Sequence, residues 1–396
     1  MGEGVSGAFE WLNAGLEAIE SEGMSRSLKV SLSASLPEII LDGRQVLQFS
    51  SNNYLGLATH PRVLAAAERA LREFGAGSGA SRLVSGTQAP HADLEAAIAE
   101  LKGAEAALVF ATGSMANQGL ISSLAGPGDL VILDKGVHAT LYDGARLSGA
   151  EIKRFPHQSL EHLAYLLEEA GKGRKVLIAV ESVYSMDGDI APLPALLELA
   201  EKHGAMLVAD EAHSTGVLGR RGAGILEHFG LAWHPNLALS GTLSKALGSL
   251  GGFVAGPKPL IQWLVNKSRS FIFATALPAA SAAAALESLK VLREEPERLQ
   301  RLWKNRESLA AGLEARGWNL GQSASPILPL IVGKAEAASS LQSSLWEQGI
   351  YVPAIRPPTV PAASCRLRAS LTSEHSAAHI ERLLNAMGNY GNVLAD

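Results

Sequence analysis

Cysteine is almost absent from this sequence of 396 residues, and charged residues are scarce. Cys365 is the only cysteine, which excludes an intrachain disulfide framework and any zinc site built from several cysteines. Charged residues make up 18% of the chain, below the roughly 25% of an average soluble domain. The net charge is -5 and no run of like charges occurs, so nucleic acid is not expected as a partner. Low surface charge instead favours an oligomer.

The sequence also lacks the patterns that direct a chain to a membrane. The N-terminus has no basic region followed by an apolar stretch, so no signal peptide is predicted. The longest apolar segment, Phe271 to Leu286, contains Pro278 and is shorter than the ~20 residues of a membrane span. We therefore expect no membrane partner. A reducing, cytoplasmic location fits the single cysteine.

Several catalytic motifs are missing as well. The eleven histidines are scattered without metalloprotease spacing, so no metal is expected. The Gly-x-Ser-x-Gly elbow of many serine hydrolases does not occur. The P-loop is absent, and the glycine spacing of dinucleotide-binding proteins does not occur after a predicted strand, which disfavours an NAD-dependent enzyme.

What the sequence does contain is a long alternation of helical and strand patterns, typical of an α/β fold with a mostly parallel sheet. The predicted helices are Arg62–Phe74, Pro90–Lys102, Met115–Leu124, Leu160–Ala170 and Pro194–His203. The predicted strands are Ala106–Ala111, Leu130–Leu133, Lys175–Glu181, Ala205–Asp210, Leu237–Ser240 and Gly252–Ala255.

Both ends of the chain depart from this alternation. A helix is predicted at Glu10–Gly23 and a hairpin at Ile39–Phe49, turning at Asp42-Gly43. After about Phe271 the pattern indicates a smaller α+β domain. Its predicted elements are Ala279–Glu294, Glu297–Arg316, Ile327–Val332, Ala335–Gln348, Arg366–Leu371 and Ser376–Met387. We therefore expect an N-terminal segment at 1–50, a large domain at 51–275 and a small domain at 276–396.

Lys245 is the most informative residue. It lies in a glycine-rich stretch, Ser240 to Gly248, directly after a predicted strand. A lysine among small residues can lose solvation and become nucleophilic near neutral pH. Asp210 and His213 follow another strand. A lysine amine with a carboxylate for a pyridinium nitrogen is what pyridoxal 5′-phosphate (PLP) requires of its protein. Taken alone, Lys245 could be a surface lysine, Asp210 a turn residue and His213 a packed loop histidine.

Other polar residues also follow predicted strands, where ligands bind in open α/β sheets. Gly113 and Ser114 begin a helix, so their backbone N–H groups could hold a phosphate together with the Thr242 hydroxyl. His138 could stack on a cofactor ring, or simply begin a helix. Ser185 offers a hydroxyl, or is a turn residue before Asp187-Gly188.

The sequence resembles the α-oxoamine synthases, which are PLP-dependent enzymes of fold type I, over nearly its whole length. The resemblance is carried by Phe49–Leu57, Gly77–Arg82 with Val84–Thr87, Ser185–Asp189, Asp210–Gly216 and Thr242–Ala246. The segment Ile355–Pro361 is similar to that of members acting in biotin biosynthesis. Leu83 and Ser244 depart from residues that many such members carry, a histidine and a glycine.

The resemblance implies roles for individual residues. Lys245 would bind PLP covalently and act as general base, and Asp210 would pair with the pyridinium nitrogen. His213 and Ser185 would contact the phenolic oxygen, and His138 would stack on the ring and serve catalysis and substrate binding. The phosphate would lie against Gly113, Ser114 and Thr242. The expected substrate-binding residues are Arg26, Asn52, Thr359 and Arg368, with Arg368 on the amino-acid carboxylate.

The reaction that this implies is a decarboxylative condensation of L-alanine with a pimeloyl thioester, carried by coenzyme A or acyl carrier protein (ACP). The product would be 8-amino-7-oxononanoate, made by a homodimeric acyltransferase. Two alternatives remain open. One is glycine C-acetyltransferase or another α-oxoamine synthase, and the other is a non-catalytic PLP-binding subunit.

Overall fold

The computed structural model describes residues 7–21, 24–171 and 173–389. Its N-terminal part contains helix α1 (Trp11–Ser21) and a hairpin of β1 (Glu38–Leu41) and β2 (Arg44–Gln48). Asp42 and Gly43 connect the strands with φ angles of 51° and 75°, a left-handed pair that matches the twist of a hairpin and that Asp-Gly tolerates well. The predicted hairpin is confirmed, whereas the predicted end of the first helix, Gly23, lies outside the described residues.

The middle of the chain alternates helices and strands as predicted. Its elements are α2 (Pro61–Phe74), α3 (Ala89–Lys102), β3 (Ala106–Phe110), α4 (Gly113–Leu124), β4 (Leu130–Asp134), α5 (Ala139–Ser148), β5 (Glu151–Phe155), α6 (Leu160–Glu169), β6 (Val176–Glu181), α7 (Leu193–Lys202), β7 (Met206–Asp210), α8 (Ile225–Phe229), β8 (Leu237–Thr242), β9 (Gly252–Gly256), α9 (Lys258–Lys267) and α10 (Arg269–Ile272). Helices α5, α8, α9 and α10 and strand β5 were not predicted. Strand β5 lies at the edge of the sheet and buries only Phe155 fully, so its sequence lacks a clear apolar run.

Strands β3 to β9 form one sheet in the order β3-β9-β8-β7-β6-β4-β5. The five strands β4 to β8 pair in parallel, which confirms the mostly parallel α/β fold. Strand β9 runs antiparallel to both β3 and β8. The connection from β8 to β9 is too short for the crossover that a parallel strand requires, so the chain must turn back on itself there. Lys245 lies in this turn.

Helices cover both faces of the sheet. Alternate residues along each strand enter opposite cores, as the period of a strand requires. Ile132 of β4 packs with α3, α6 and α7, whereas its neighbour Leu133 packs with α4, α5 and α9. Strands β4, β6 and β8 are buried throughout, so their ends are fixed firmly by the two cores.

The C-terminal part has the predicted α+β character. It contains α11 (Ala279–Glu294), α12 (Glu297–Glu314), β10 (Ile327–Gly333), α13 (Ala335–Glu347), β11 (Ile350–Tyr351), β12 (Ala354–Ile355), β13 (Cys365–Ser370) and α14 (Ala377–Met387). Strands β10, β13 and β12 form an antiparallel sheet, and β11 pairs in parallel with β2. The N-terminal hairpin therefore belongs to the C-terminal structural unit. Among the helices in the described ranges, none is long and apolar enough to cross a membrane.

Candidate active site

A cavity of about 220 Å³ lies where strands β6, β7 and β8 end. Glu181 and Asp210 are register partners across β6 and β7, and Asp210 is aligned with Ser240 of β8. The cavity is lined by Thr112, Gly113, Ser114, Asn117, His138, Thr140, Glu181, Asp210, Ala212, His213, Gly241, Thr242, Ser244 and Lys245. The fold thus brings together seven of the predicted site residues: Gly113, Ser114, His138, Asp210, His213, Thr242 and Lys245.

Lys245 is half-buried in the turn between β8 and β9. Its Nζ lies 2.7 Å from Nε2 of His213. Burial lowers the pKa of the Lys245 ammonium, and the charge of Asp210 only partly opposes this shift. Part of the lysine is therefore unprotonated near neutral pH. An unprotonated amine is the form that attacks a carbonyl carbon.

Asp210 is held as a carboxylate acceptor by two hydrogen bonds. Its Oδ2 accepts from Nδ2 of Asn117 at 2.7 Å, and its Oδ1 accepts from the backbone N–H of Ala212 at 2.8 Å. Asn117 is itself oriented by the Ser240 hydroxyl, which donates to Asn117 Oδ1 at 2.6 Å. Asn117 was not predicted as a site residue, although its position one helical turn after Gly113 could have indicated that it faces the sheet.

His213 is buried and makes a chain of contacts toward Asn52. Its Nδ1 lies 2.7 Å from the hydroxyl of Tyr54, which donates to Asn52 Oδ1 at 3.2 Å. Burial, reinforced by the charge of Lys245, holds the pKa of His213 well below its ordinary value. The ring is therefore neutral at pH 7. Tyr54 was not singled out from the sequence, even though it follows Asn52 in a matching segment.

The first turn of α4 forms one wall of the cavity. Thr112 caps this helix by accepting a hydrogen bond from the Met115 N–H at 3.1 Å. The first N–H groups of an α-helix have no acceptor within the helix, so they can bind an anion. A Cβ atom on Gly113 would lie 3.2 Å from Cβ of Thr242, which explains why the smallest residue stands there.

His138 lines the cavity, and Ser185 lies in the loop that follows β6. His138 is the N-cap of α5, and its Nδ1 lies 2.9 Å from the Thr140 hydroxyl. Its ring lines the cavity. Ser185 donates its backbone N–H to Glu181 Oε2 at 3.0 Å, and its carbonyl accepts from Arg368 Nε at 2.5 Å. These bonds fix the Ser185 backbone against the cavity wall.

Arg368 connects the two parts of the molecule. It lies on β13 and is 6% exposed, yet its guanidinium reaches the loop after β6. Its terminal nitrogens lie 3.4 Å from Asn52 Oδ1. The Tyr54 and Asn52 contacts thus link Arg368 to His213, as expected for residues that face one substrate.

Arg26 and Thr359 do not line the Lys245 cavity. They line a second cavity, of about 320 Å³, with Met24, Ala335, Ala354, Ile355, Arg356 and Pro357. This cavity lies among the extended segment after α1, the start of α13 and the loop that follows β12. The two residues therefore do not share the Lys245 cavity.

The functional groups in the Lys245 cavity fit PLP. An amine suits the aldehyde carbon, the Asp210 carboxylate suits a protonated pyridine nitrogen, and the α4 terminus with the Thr242 hydroxyl suits a phosphate. The buried Oε1 of Glu181 has no hydrogen-bond partner among the described residues. An unsatisfied buried oxygen at the cavity wall is consistent with a site that a ligand completes.

Comparisons with known proteins agree with this geometry. Residues 44–387 match the family described as aminotransferase class I and II. The 8-amino-7-oxononanoate synthase of Symbiobacterium thermophilum is 45% identical over 380 residues, covering 96% of this chain and 97% of that protein. A serine palmitoyltransferase structure from S. paucimobilis, with a bound PLP–myriocin aldimine, has a TM-score of 0.90 and 37% identity, and 97% of each chain is covered. The 8-amino-7-oxononanoate synthase structure from Francisella tularensis has a TM-score of 0.76 and 29% identity, covering 86% of this chain and 96% of that one.

Proposed function

This chain belongs to the aminotransferase class I and II family and, within it, to the PLP-dependent α-oxoamine synthases, and we propose that it makes 8-amino-7-oxononanoate for biotin biosynthesis. The reaction joins L-alanine to the acyl carbon of a pimeloyl thioester and takes up one proton. It releases CO₂ and the free thiol of CoA or ACP. The observation that carries this proposal is the half-buried Lys245 amine beside Asp210 and His213 in one cavity.

PLP, when bound, supplies an electron sink for the negative charge that develops on Cα of the amino acid. Asp210 would keep the ring nitrogen protonated. The Asn117 amide and the Ala212 N–H both donate to this carboxylate and fix its orientation. His213 and Ser185 are proposed to face the phenolic oxygen.

Lys245 is proposed to act twice, first as the covalent anchor and then as a base. With the amino acid in the site, Lys245 Nζ would accept the proton from Cα. A lowered pKa keeps the amine available for this step. His213, at 2.7 Å from Nζ, can hold the amine in place between the two steps.

Arg368 is proposed to bind the alanine carboxylate. Its guanidinium matches a carboxylate in a two-pronged arrangement. The surrounding contacts with Ser185, Ser370 and Asn52 restrict the direction in which it points. Fixing the carboxylate also fixes which bond at Cα lies nearest to Lys245, and so selects deprotonation.

The acyl chain is proposed to extend toward the second cavity, where Arg26 and Thr359 lie. We further propose that the enzyme is a homodimer. The exposed apolar side chains near the N-terminus support this, since Trp11 is 70% and Leu28 is 97% exposed. Apolar surface of this kind is commonly covered by a partner subunit.

Substrate assays test the proposed reaction. Purified holoenzyme is given three pairs: L-alanine with pimeloyl-CoA, glycine with acetyl-CoA, and L-serine with palmitoyl-CoA. The alanine and pimeloyl pair is expected to give the highest kcat/KM, with CO₂ and free thiol released in equal amounts. A preference for the serine pair would agree with the serine palmitoyltransferase likeness instead and would contradict the proposed substrate.

A further inference from the structure

Glu181 ends strand β6 with one carboxyl oxygen unused. The residue is 2% exposed and lines the Lys245 cavity. Its Oε2 accepts the backbone N–H of Ser185 at 3.0 Å. Its Oε1 is buried without a hydrogen-bond partner in the part of the chain that the structure describes. Buried polar atoms are almost always satisfied in native proteins, so an exception at a cavity wall requires an explanation.

Glu181 and Asp210 lie side by side. They are register partners at the ends of adjacent parallel strands, so both carboxyl groups reach the same cavity. Two carboxyl groups that share a buried site do not readily ionise together. Asp210 has two donors, from Asn117 and Ala212, whereas Glu181 has the single N–H of Ser185. The proton of the pair therefore belongs on Glu181.

The charged and titratable groups around Glu181 support this assignment. Burial, followed by the charge of Asp210, raises the pKa of the Glu181 carboxyl. The charge of Lys245, the hydrogen bond from the Ser185 N–H and the nearby backbone N–H of His138 act in the opposite direction without reversing the shift. The His138 N–H lies close to the carboxyl group but outside hydrogen-bond geometry, so Oε1 keeps no partner among the described residues. These groups come from β7, from the turn after β8, and from the loops that follow β6 and β4.

We propose that Glu181 is a neutral, protonated acid in the working enzyme and that its O–H donates a hydrogen bond to the bound cofactor. Asp210 is then the only carboxylate charge in the cavity. This assignment rests on the proposed function only in taking PLP as the ligand. It has a chemical consequence, because ionised Glu181 would stabilise the ammonium of Lys245 and reduce the amount of nucleophilic amine.

Infrared difference spectroscopy tests the protonation state directly. Spectra of wild-type protein and Glu181→Gln are compared at pH 7, both without cofactor and after PLP is added. A carbonyl band of a protonated carboxylic acid is expected in wild type and is absent from Glu181→Gln. The band is expected to shift when PLP binds. Absence of such a band at pH 7 would show that Glu181 is ionised and would overturn the inference.

A second experiment tests the donor role through PLP affinity. Glu181→Gln keeps a neutral donor of similar size, whereas Glu181→Leu is neutral and has no donor. Glu181→Leu is expected to raise the dissociation constant of PLP about tenfold relative to Glu181→Gln, as measured by absorbance titration. Equal affinities would refute the hydrogen bond. If Glu181→Leu does not fold, the infrared comparison with Glu181→Gln decides alone. A wrong substrate assignment would leave both readouts unaffected, so the two proposals fail separately.

Discussion

Lys102 and Lys245 are both removed from water, yet their surroundings differ in kind. The Lys102 side chain, at the end of α3, is fully buried and has three acceptors, which are Glu211 Oε2, the Thr215 hydroxyl and the Ala223 carbonyl. Lys245 lines a cavity, and the contact that the structure gives its Nζ is the neutral imidazole of His213. In the described part of the chain, the Lys102 ammonium has three hydrogen-bond acceptors, whereas the Lys245 amine has a single contact, with His213.

This difference explains why the two lysines serve different purposes. Burial lowers the pKa of Lys102, but the adjacent Glu211 charge opposes that shift and all its donors are satisfied. Glu211 also accepts the Ile225 N–H at 2.7 Å, so the pair ties three segments together. Lys245 has no such set of acceptors among the described residues, and its amine stays reactive. Lys102 is accordingly a structural lysine that holds the loop between Asp210 and Gly216.

The largest expected effect comes from Lys245→Ala. Turnover should fall below detection, since the anchor and the base are lost together. The free energy of unfolding of the cofactor-free protein should change by about 1 kcal/mol or less, because the contact that is lost is the one between Nζ and His213 Nε2. Steady-state assays and denaturant titration measure the two quantities. Lys304 is exposed, so Lys304→Ala is the matched control. A strongly destabilised Lys245→Ala would contradict the proposed difference between Lys245 and the structural Lys102.

Lys102→Met should have the opposite profile. Removing the ammonium leaves the Glu211 carboxylate buried without its counter-charge, which costs about 3–5 kcal/mol of unfolding free energy. Denaturant titration measures this loss. Adding Glu211→Gln to the same protein should restore a large part of it, since the isolated buried charge is then gone. Unchanged stability in Lys102→Met would show that the pair contributes nothing, and the comparison would fail.

A smaller effect is expected at His157, which joins the loops that carry His138 and Ser185. Its ring lies 2.9 Å from Asp134 Oδ1 and 2.8 Å from Asp189 Oδ2. Burial disfavours the charged ring, but the hydrogen bonds that it donates to Asp134 and Asp189 outweigh burial and raise the pKa of His157 to about 10. Because the folded pKa is raised, the stabilisation is complete below about pH 6.5 and is lost as the pH approaches 10.

His157→Gln should therefore lower the unfolding free energy by about 1 kcal/mol below pH 6.5, a modest value because the ring is 35% exposed. The difference from wild type should shrink steadily between pH 6.5 and 10. Thermal unfolding across this range measures it, with His162→Gln, in the helix α6 that follows His157, as the control. A difference that grows with pH would contradict the charged bridge.

The sequence predicted much of the site because the relevant residues follow buried strands. Lys245, Asp210 and Gly113 each lie just beyond an apolar run, and the ends of parallel strands meet at one edge of a sheet. The alternation of apolar runs also predicted six of the seven strands of the central sheet. Strand β5 was missed because, at the edge, it needs little apolar sequence.

Contacts between distant segments could not be predicted. Tyr54 and His213 are 159 residues apart, and nothing in either segment indicates that their side chains meet. The pairing of β2 with β11 likewise joins the two ends of the chain. Lys102 resembles any lysine at the end of a helix until Glu211 is seen beside it. The proposed roles of Arg26 and Thr359 came from resemblance, and their separate cavity is a result of the fold.

Reduction of the purified holoenzyme with borohydride, followed by peptide mapping, tests the central claim most directly. Borohydride makes the bond between the cofactor and its lysine permanent, so mass spectrometry can locate the modified residue. We predict a single pyridoxyl group on the peptide that contains Lys245, and none on the peptide that contains Lys102. A pyridoxyl group on another lysine, or no modification after incubation with PLP, would contradict the account.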